Sequence, residues 1–227
     1  MDKTKKLHIT MLSDSHNSTH EVTIPEIPTG MTSVLIHAGD FSFMGKPAEI
    51  QDFIWWLNQQ PHDHKIWVPG NHELSLEDFP YNIEVIDNET GSTCIHNKEI
   101  EIEGFRFFGS AMTPEFFNWA FMHSETQAER YWRNAPSADI VVCHGPPRGI
   151  LDSTTPDYPI ERLGCVSFYN YLERTKPILS MWGHIHGSGM NTETIKWEDG
   201  SKTECYNVSV MDEDYAIRPE PAMTIEL

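Results

Sequence analysis

Lys65-Ile66-Trp67-Val68-Pro69-Gly70-Asn71-His72-Glu73 decides the reading of this chain. Its first four residues read as a short strand, apolar after Lys65 and of the kind buried in a sheet, and Pro69-Gly70 ends it. An amide, an imidazole and a carboxylate follow in succession: a neutral oxygen ligand, a proton carrier and a second oxygen donor. The same arrangement recurs on both sides. Asp14-Ser15-His16 follows Leu7 to Leu12, and Gly39-Asp40 follows Val34 to Ala38. Further on, His144-Gly145 follows Asp139 to Cys143, and Gly183-His184-Ile185-His186 follows Pro177 to Trp182. Alone, each is an ordinary turn. In order, each after an apolar run, they describe one site, because ligands in α/β sheets bind beyond the carboxyl ends of the strands.

The rest of the pattern fills in a fold. A helix is expected over Ala48 to Gln59, with Pro61 just past its end. Glu99 to Glu103 alternates as a half-exposed strand does, and Phe105 to Phe108 resumes after Gly104, so the middle reads as an antiparallel meander. Ser124 and Gln127 have capping-box spacing for a helix running to Asn134. Another helix is expected around Cys165 to Arg174, and a hairpin at the end turns at Asp199-Gly200. Pro221 to Glu226 adds an edge strand. The expected class is α/β in an α+β sandwich: two mixed β-sheets packed face to face and flanked by helices, as one domain over residues 1–227.

Composition narrows the chemistry. A net charge of −18 with only 16 Lys and Arg disfavours long nucleic acid, whose binding rests on cations neutralising phosphates. Bound divalent cations would invert that field locally and admit a small phosphate ester. The four cysteines form no C-x-x-C pair, which fits a reducing, cytoplasmic setting. Lys3, Lys5 and Lys6 precede a run too short and polar for a signal sequence, and no run approaches a membrane span of about 20 apolar residues. The oligomeric state stays open.

Spacing in the motifs suggests ligation. Asp14 and His16, two apart on an extended backbone, would reach one ion together. A carboxylate such as Asp40 bridges two cations, and Gly39 lets backbone approach it closely. Ile185 would enter the core while His184 and His186 face the site. His8, His20, His37, His62, His64, His96 and His123 take ordinary structural roles, with His62-Asp63-His64 as a solvated loop. Gly39 to Lys46 is no phosphate loop, since Pro47 stands where Ser or Thr is required.

As an ordered set, D-x-H, G-D, G-N-H-E, H and G-H-x-H from Asp14 to His186 resemble the calcineurin-like metallophosphoesterases. His37-Ala38-Gly39-Asp40-Phe41, His144-Gly145-Pro146-Pro147 and Gly164-Cys165 resemble the small metallophosphoesterase-domain branch of brain and foetal type. The serine/threonine phosphatases fit less well, because Gly39-Asp40-Phe41-Ser42-Phe43-Met44-Gly45 lacks their second Asp and their Arg. The resemblance implies one metal held by Asp14, His16, Asp40 and His186, and a second held by Asp40, Asn71, His144 and His184. Oxygen and nitrogen ligands without thiolate suit Mn²⁺, Fe or Zn²⁺ and do not choose among them. Two divalent ions are expected, Mn²⁺ foremost, with Fe, Zn²⁺ or Mg²⁺ as alternatives.

The implied activity is hydrolysis of small phosphodiesters, cyclic nucleotides among them, by a hydroxide bridging two metal ions. His72 is expected to protonate the leaving oxygen, with Glu73 orienting it. Asn71, His72 and Arg148 are the expected substrate contacts, and Phe116, Phe117, Trp119 and Phe121 offer rings to stack on a base. The alternatives are a phosphomonoesterase or nuclease on the same scaffold, or a nucleotide-binding protein with a weakly active site.

Overall fold

The structure, a computed structural model, describes residues 6–155 and 161–227; Lys3 and Lys5 lie outside the described residues. The first part of the chain forms β1 (Leu7–Leu12), β2 (Thr32–His37), α1 (Pro47–Gln59), β3 (His64–Trp67), α2 (Leu74–Asp78), α3 (Tyr81–Thr90) and β4 (Thr93–Cys94). There follow β5 (Glu99–Ile102), β6 (Phe105–Ser110), β7 (Thr113–Pro114), β8 (Met122–His123), α4 (Glu125–Asn134) and β9 (Ile140–Cys143). The last part holds α5 (Val166–Thr175), β10 (Leu179–Trp182), β11 (Asn191–Lys196), β12 (Lys202–Asn207) and β13 (Met223–Glu226).

Two mixed sheets result, as the pattern of apolar runs predicts. The first has the order β13-β1-β2-β3-β4, with β13 antiparallel at its edge and the others parallel. The second has the order β11-β12-β10-β9-β6-β5, with four parallel strands between antiparallel edges.

Strand periodicity divides the side chains into three apolar layers. Leu7, Ile9 and Met11 of β1 meet Phe107, Ile140, Val142 and Met181 between the sheets. Leu35 and Trp67 turn outward onto Phe53, Trp56 and Leu57 of α1. On the far side, Val141, Cys143 and Trp182 face Trp132 of α4 and Phe168 and Leu172 of α5. Strands covered on both faces are mostly apolar, which is why they stand out in the sequence, although His8 and Thr10 of β1, His37 of β2 and Ser180 of β10 are buried among them.

Helix ends follow local chemistry. Glu49 accepts the backbone N–H of Lys46 at 2.8 Å, and Pro47 occupies the first turn of α1, where no N–H is needed. The Ser124 and Gln127 capping box forms as expected.

Three expectations need correction. The middle region is no antiparallel meander: β5 and β6 form a hairpin, but β6 then pairs in parallel with β9, Phe107 opposite Ile140. Helix α3 was not expected, because its ten residues bury only Ile86 and Thr90 and carry little apolar periodicity. His62-Asp63-His64 is only in part a solvated loop, since Asp63 and His64 are exposed but His62 is not. His62 is buried with Nε2 at 3.1 Å from Thr10 Oγ1, Asp63 accepts from the Ser33 backbone and hydroxyl, and His64 opens β3.

Candidate metal centre

All five motif loops leave the carboxyl ends of β1, β2, β3, β9 and β10 and converge. The loops after β1 and β2 zip together through Asp14 N–H to Gly39 O (2.9 Å), His16 N–H to Asp40 O (3.1 Å) and Asn17 N–H to Phe41 O (2.8 Å). Asp14, His16, Asn17, Asp40 and His184 all adopt positive φ, between 35° and 67°. Asp, Asn and His tolerate this left-handed region better than most residues, and strain there persists only where surroundings impose it. So Asp14 and His16 share the site through a left-handed turn, not through the extended alternation expected of them.

Close approach shapes the floor. A Cβ at Gly39 would sit 2.6 Å from His144 Nδ1, and one at Gly183 would overlap the Asp14 carboxylate. Only glycine lets these backbones come so near.

Three groups of side chains have donor atoms close enough to share an ion: Asp14, His16 and His186; His16, Asp40 and His72; and Asp40, His144 and His184. Asp40 belongs to two of them. Its Oδ2 lies 3.1 Å from His144 Nε2 and 4.0 Å from His72 Nε2, and its Oδ1 accepts the His72 backbone N–H at 2.9 Å. Asn71 Oδ1 is 3.0 Å from His144 Nε2. Asp14 holds the loop after β10 by accepting the His184 backbone N–H at 3.0 Å, and its Oδ1 lies 3.4 Å from His186 Nε2.

Backbone carbonyls set the histidine tautomers. Nδ1 of His16 faces Ser42 O (3.1 Å), His72 faces Phe43 O (2.8 Å), His144 faces Ala38 O (2.8 Å) and His186 faces Asp212 O (3.0 Å). A carbonyl only accepts, so each Nδ1 carries the proton and each Nε2 of a neutral ring presents a lone pair inward. Nε2 of His16 and His186 then oppose each other at 3.3 Å, and His144 Nε2 opposes the Asp40 carboxylate. Buried acceptors facing acceptors require a proton or a metal cation between them. The donor set therefore fits divalent metal ions, and carbonyl-oriented imidazoles are the usual outer support of such ligands.

Electrostatics agree. Burial works to raise the Asp14 carboxyl, but the His186 hydrogen bond and nearby histidines carry it down to about 2. Asp40 is likewise held low against its burial, chiefly by His144. Burial pulls His16 and His184 down to about 4, leaving them neutral and ready to ligate. His144 is opposed by burial yet lifted to about 9 by Asp40.

Two expected residues fall elsewhere. Glu73 does not orient the His72 ring. Fully buried, it accepts from Asp40 N–H (2.9 Å), Ser42 N–H (3.0 Å), the Ser42 hydroxyl (2.7 Å) and Gly70 N–H (2.6 Å), thereby fixing the Asp40 loop. Arg148 lines a separate cavity of about 720 Å³ with Pro114, Arg162 and Cys165, which no metal-ligand side chain lines.

The aromatic run divides. Trp119 stacks on His72 at 4.3 Å, Phe121 is buried against His96, and Phe116 and Phe117 are exposed against each other. Phe43 and Tyr215 stand at the site without having been anticipated, their ring centroids 5.1 and 5.0 Å from that of His16. Phe43 lies just past Gly39-Asp40, a faint signal; Tyr215 has none.

Among the described residues no helix is long and apolar enough to cross a membrane. The calcineurin-like phosphoesterase family profile matches residues 7–188. Human metallophosphoesterase domain-containing protein 1 is 34% identical over 199 residues, covering 77% of this chain and 59% of that protein, so less than two thirds of its length is matched. A UPF0046 protein of Caenorhabditis elegans is 31% identical over 198 residues, covering 82% of this chain and 65% of its own. A Thermus thermophilus protein of solved structure superposes with a TM-score of 0.58 at 12% identity, covering 89% of this chain and 90% of that one, a likeness of fold alone.

Proposed function

The chain belongs to the calcineurin-like phosphoesterase family, and from that premise we propose that it is a phosphodiesterase with two metal positions, acting on small diesters. The observation that carries the reading is Asp40, one buried carboxylate shared by two groups of candidate ligands. Asp14, His16, Asp40 and His186 would hold one cation, and Asp40, Asn71, His144 and His184 the other. Such cations, Mn²⁺ foremost, supply Lewis acidity that lowers the pKa of water and offsets charge on phosphoryl oxygens.

The chain's own residues supply the remainder. His72 keeps its Nδ1 proton on Phe43 O, so a second proton on Nε2 is the one available to a departing alkoxide. Giving it up returns the ring to the neutral tautomer its carbonyl partner already favours. Trp119 stacked on one face holds the imidazole in plane for that transfer. The acidic balance of −18 supports small substrates over polymeric nucleic acid.

Initial rates on bis-p-nitrophenyl phosphate and p-nitrophenyl phosphate, with metal-stripped protein reloaded with Mn²⁺, test this reading. A diester preference abolished in Asp40→Ala is expected. A monoester preference would assign a phosphomonoesterase, and two bound metals with no turnover of either ester would favour a binding role.

A further inference from the structure

Two large aromatic side chains stand exposed beside the ligand cluster, held there by the backbone that orients the ligands. Phe43 is 40% exposed and Tyr215 47%. The Phe43 carbonyl accepts from His72 Nδ1, and the preceding carbonyl, Ser42 O, faces His16 Nδ1. Tyr215 belongs to a turn built on Asp212, whose carbonyl receives both Tyr215 N–H (3.0 Å) and His186 Nδ1 (3.0 Å). Asp212 Oδ1 also accepts from Asp214 N–H (2.9 Å) and Ala216 N–H (3.0 Å).

Tyr215 has φ +59°, a conformation a bulky residue holds only under constraint. Its ring lies 5.0 Å from both His16 and His186. Phe43 stacks on His16 at 26°, and the Phe43 and Tyr215 centroids are 5.9 Å apart at 34°. Large apolar rings fixed in solvent at the edge of a polar centre offer stacking faces, and offset stacking is the geometry such faces favour.

We propose that Phe43 and Tyr215 are specificity-determining residues, an aromatic rim that selects phosphate esters bearing a flat ring on the group retained after hydrolysis. The inference rests on the phosphodiesterase reading. A phosphoryl group seated among the ligands would have one of its two ester substituents within reach of the rim beside His16. A flat ring there gains a stacking face, whereas a methyl group does not. The exposed Phe116 and Phe117 contact each other, and neither shows a ring contact with a ligand histidine among the described residues.

Three diesters sharing the p-nitrophenolate leaving group test the rim: the methyl, phenyl and thymidine 5′ esters of p-nitrophenyl phosphate. Each is assayed with Mn²⁺-loaded wild type, Phe43→Leu, Tyr215→Leu and Tyr215→Phe. The phenyl-to-methyl ratio of kcat/KM is expected to fall about tenfold in each Leu variant, through KM for the phenyl ester. Tyr215→Phe, which keeps the ring, is expected to restore it. A ratio within one protein does not depend on the fraction folded. A thymidine ester faster than the phenyl ester assigns the ring to a nucleobase, and a slower one to a simple aryl group; both sustain the rim. Turnover with the ratio unmoved in both Leu variants overturns the rim and leaves the phosphodiesterase reading standing. No turnover of any ester by metal-loaded wild type overturns both.

Discussion

His16 and His186 point their Nε2 atoms at each other across 3.3 Å, while backbone carbonyls hold the protons on their far nitrogens. The residues are 170 apart in sequence, one after β1 and the other after β10. Two lone pairs at that distance repel unless a proton or a metal ion lies between them. The neighbouring contact of His144 Nε2 with the Asp40 carboxylate poses the same problem at 3.1 Å.

Metal loading is therefore expected to expel protons. Without metal, His144 titrates at about 9, lifted by Asp40 against the effect of burial, so at pH 7 it carries a proton that a cation must displace. Metal affinity should rise about tenfold per pH unit for each proton displaced, up to pH about 9. The linkage has a definite sign. A folded-state value of about 9, against about 6.5 unfolded, stabilises the metal-free protein below pH 6.5, and that stability is lost as pH rises through 9. Titration calorimetry in buffers of differing ionisation enthalpy should find about one proton or more released per protein at pH 7. Release of none would contradict the facing lone pairs.

Glu73→Gln separates two roles for that carboxyl. Four donors converge on Glu73, from Asp40, Ser42 and Gly70. A Gln amide accepts at one end only, so at least one buried donor loses its partner at about 1–3 kcal/mol. Thermal stability and metal affinity should both fall, because the backbone beneath Asp40 moves. The ratio of rates with alkoxide and nitrophenolate leaving groups should not change. A change in that ratio would return Glu73 to the role of orienting His72.

Which features were legible follows from how each is encoded. The ligand loops could be read because a strand buried on both faces is a continuous apolar run, and the polar residue that ends it is conspicuous, as at Val142-Cys143-His144. Asp40 as the shared carboxylate was implied by the family resemblance of that ordered series, and it belongs to two of the candidate ligand groups. The partner of Glu73 could not be read, since adjacency to His72 says nothing about side chains that leave the backbone in different directions. Tyr215 reaches His16 and His186 only through tertiary approach, in a turn whose local sequence, Asp212-Glu213-Asp214, reads as solvated surface. Helix α3 hid for the opposite reason: it buries so little that its sequence carries no stripe.

His72→Ala tests the proton donor. A positioned general acid contributes typically about 10²–10⁴-fold, and only where the leaving group needs the proton. Turnover of diesters with alkoxide leaving groups should fall by that order, and turnover of p-nitrophenyl esters by less than about tenfold. Equal losses on both would assign His72 to the ligand group it can form with His16 and Asp40.

Gly183→Ala probes the floor of the centre by crowding the Asp14 carboxylate. Gly183 does not have a positive φ, so the left-handed penalty does not apply there, but an added Cβ would overlap the Asp14 carboxylate and the Ser13 hydroxyl. Asp14 must then withdraw from His186, and metal affinity should drop at least about tenfold, since well over 1 kcal/mol of ligand placement is lost. Gly200→Ala supplies the contrast. Gly200 has φ +86° with nothing within 4 Å of an added Cβ, so its substitution costs backbone strain of about 1 kcal/mol and touches no ligand. Comparing metal dissociation constants with thermal midpoints should show affinity lost in Gly183→Ala and stability alone lost in Gly200→Ala. Loss of stability with intact affinity in Gly183→Ala would mean that Asp14 is not a ligand.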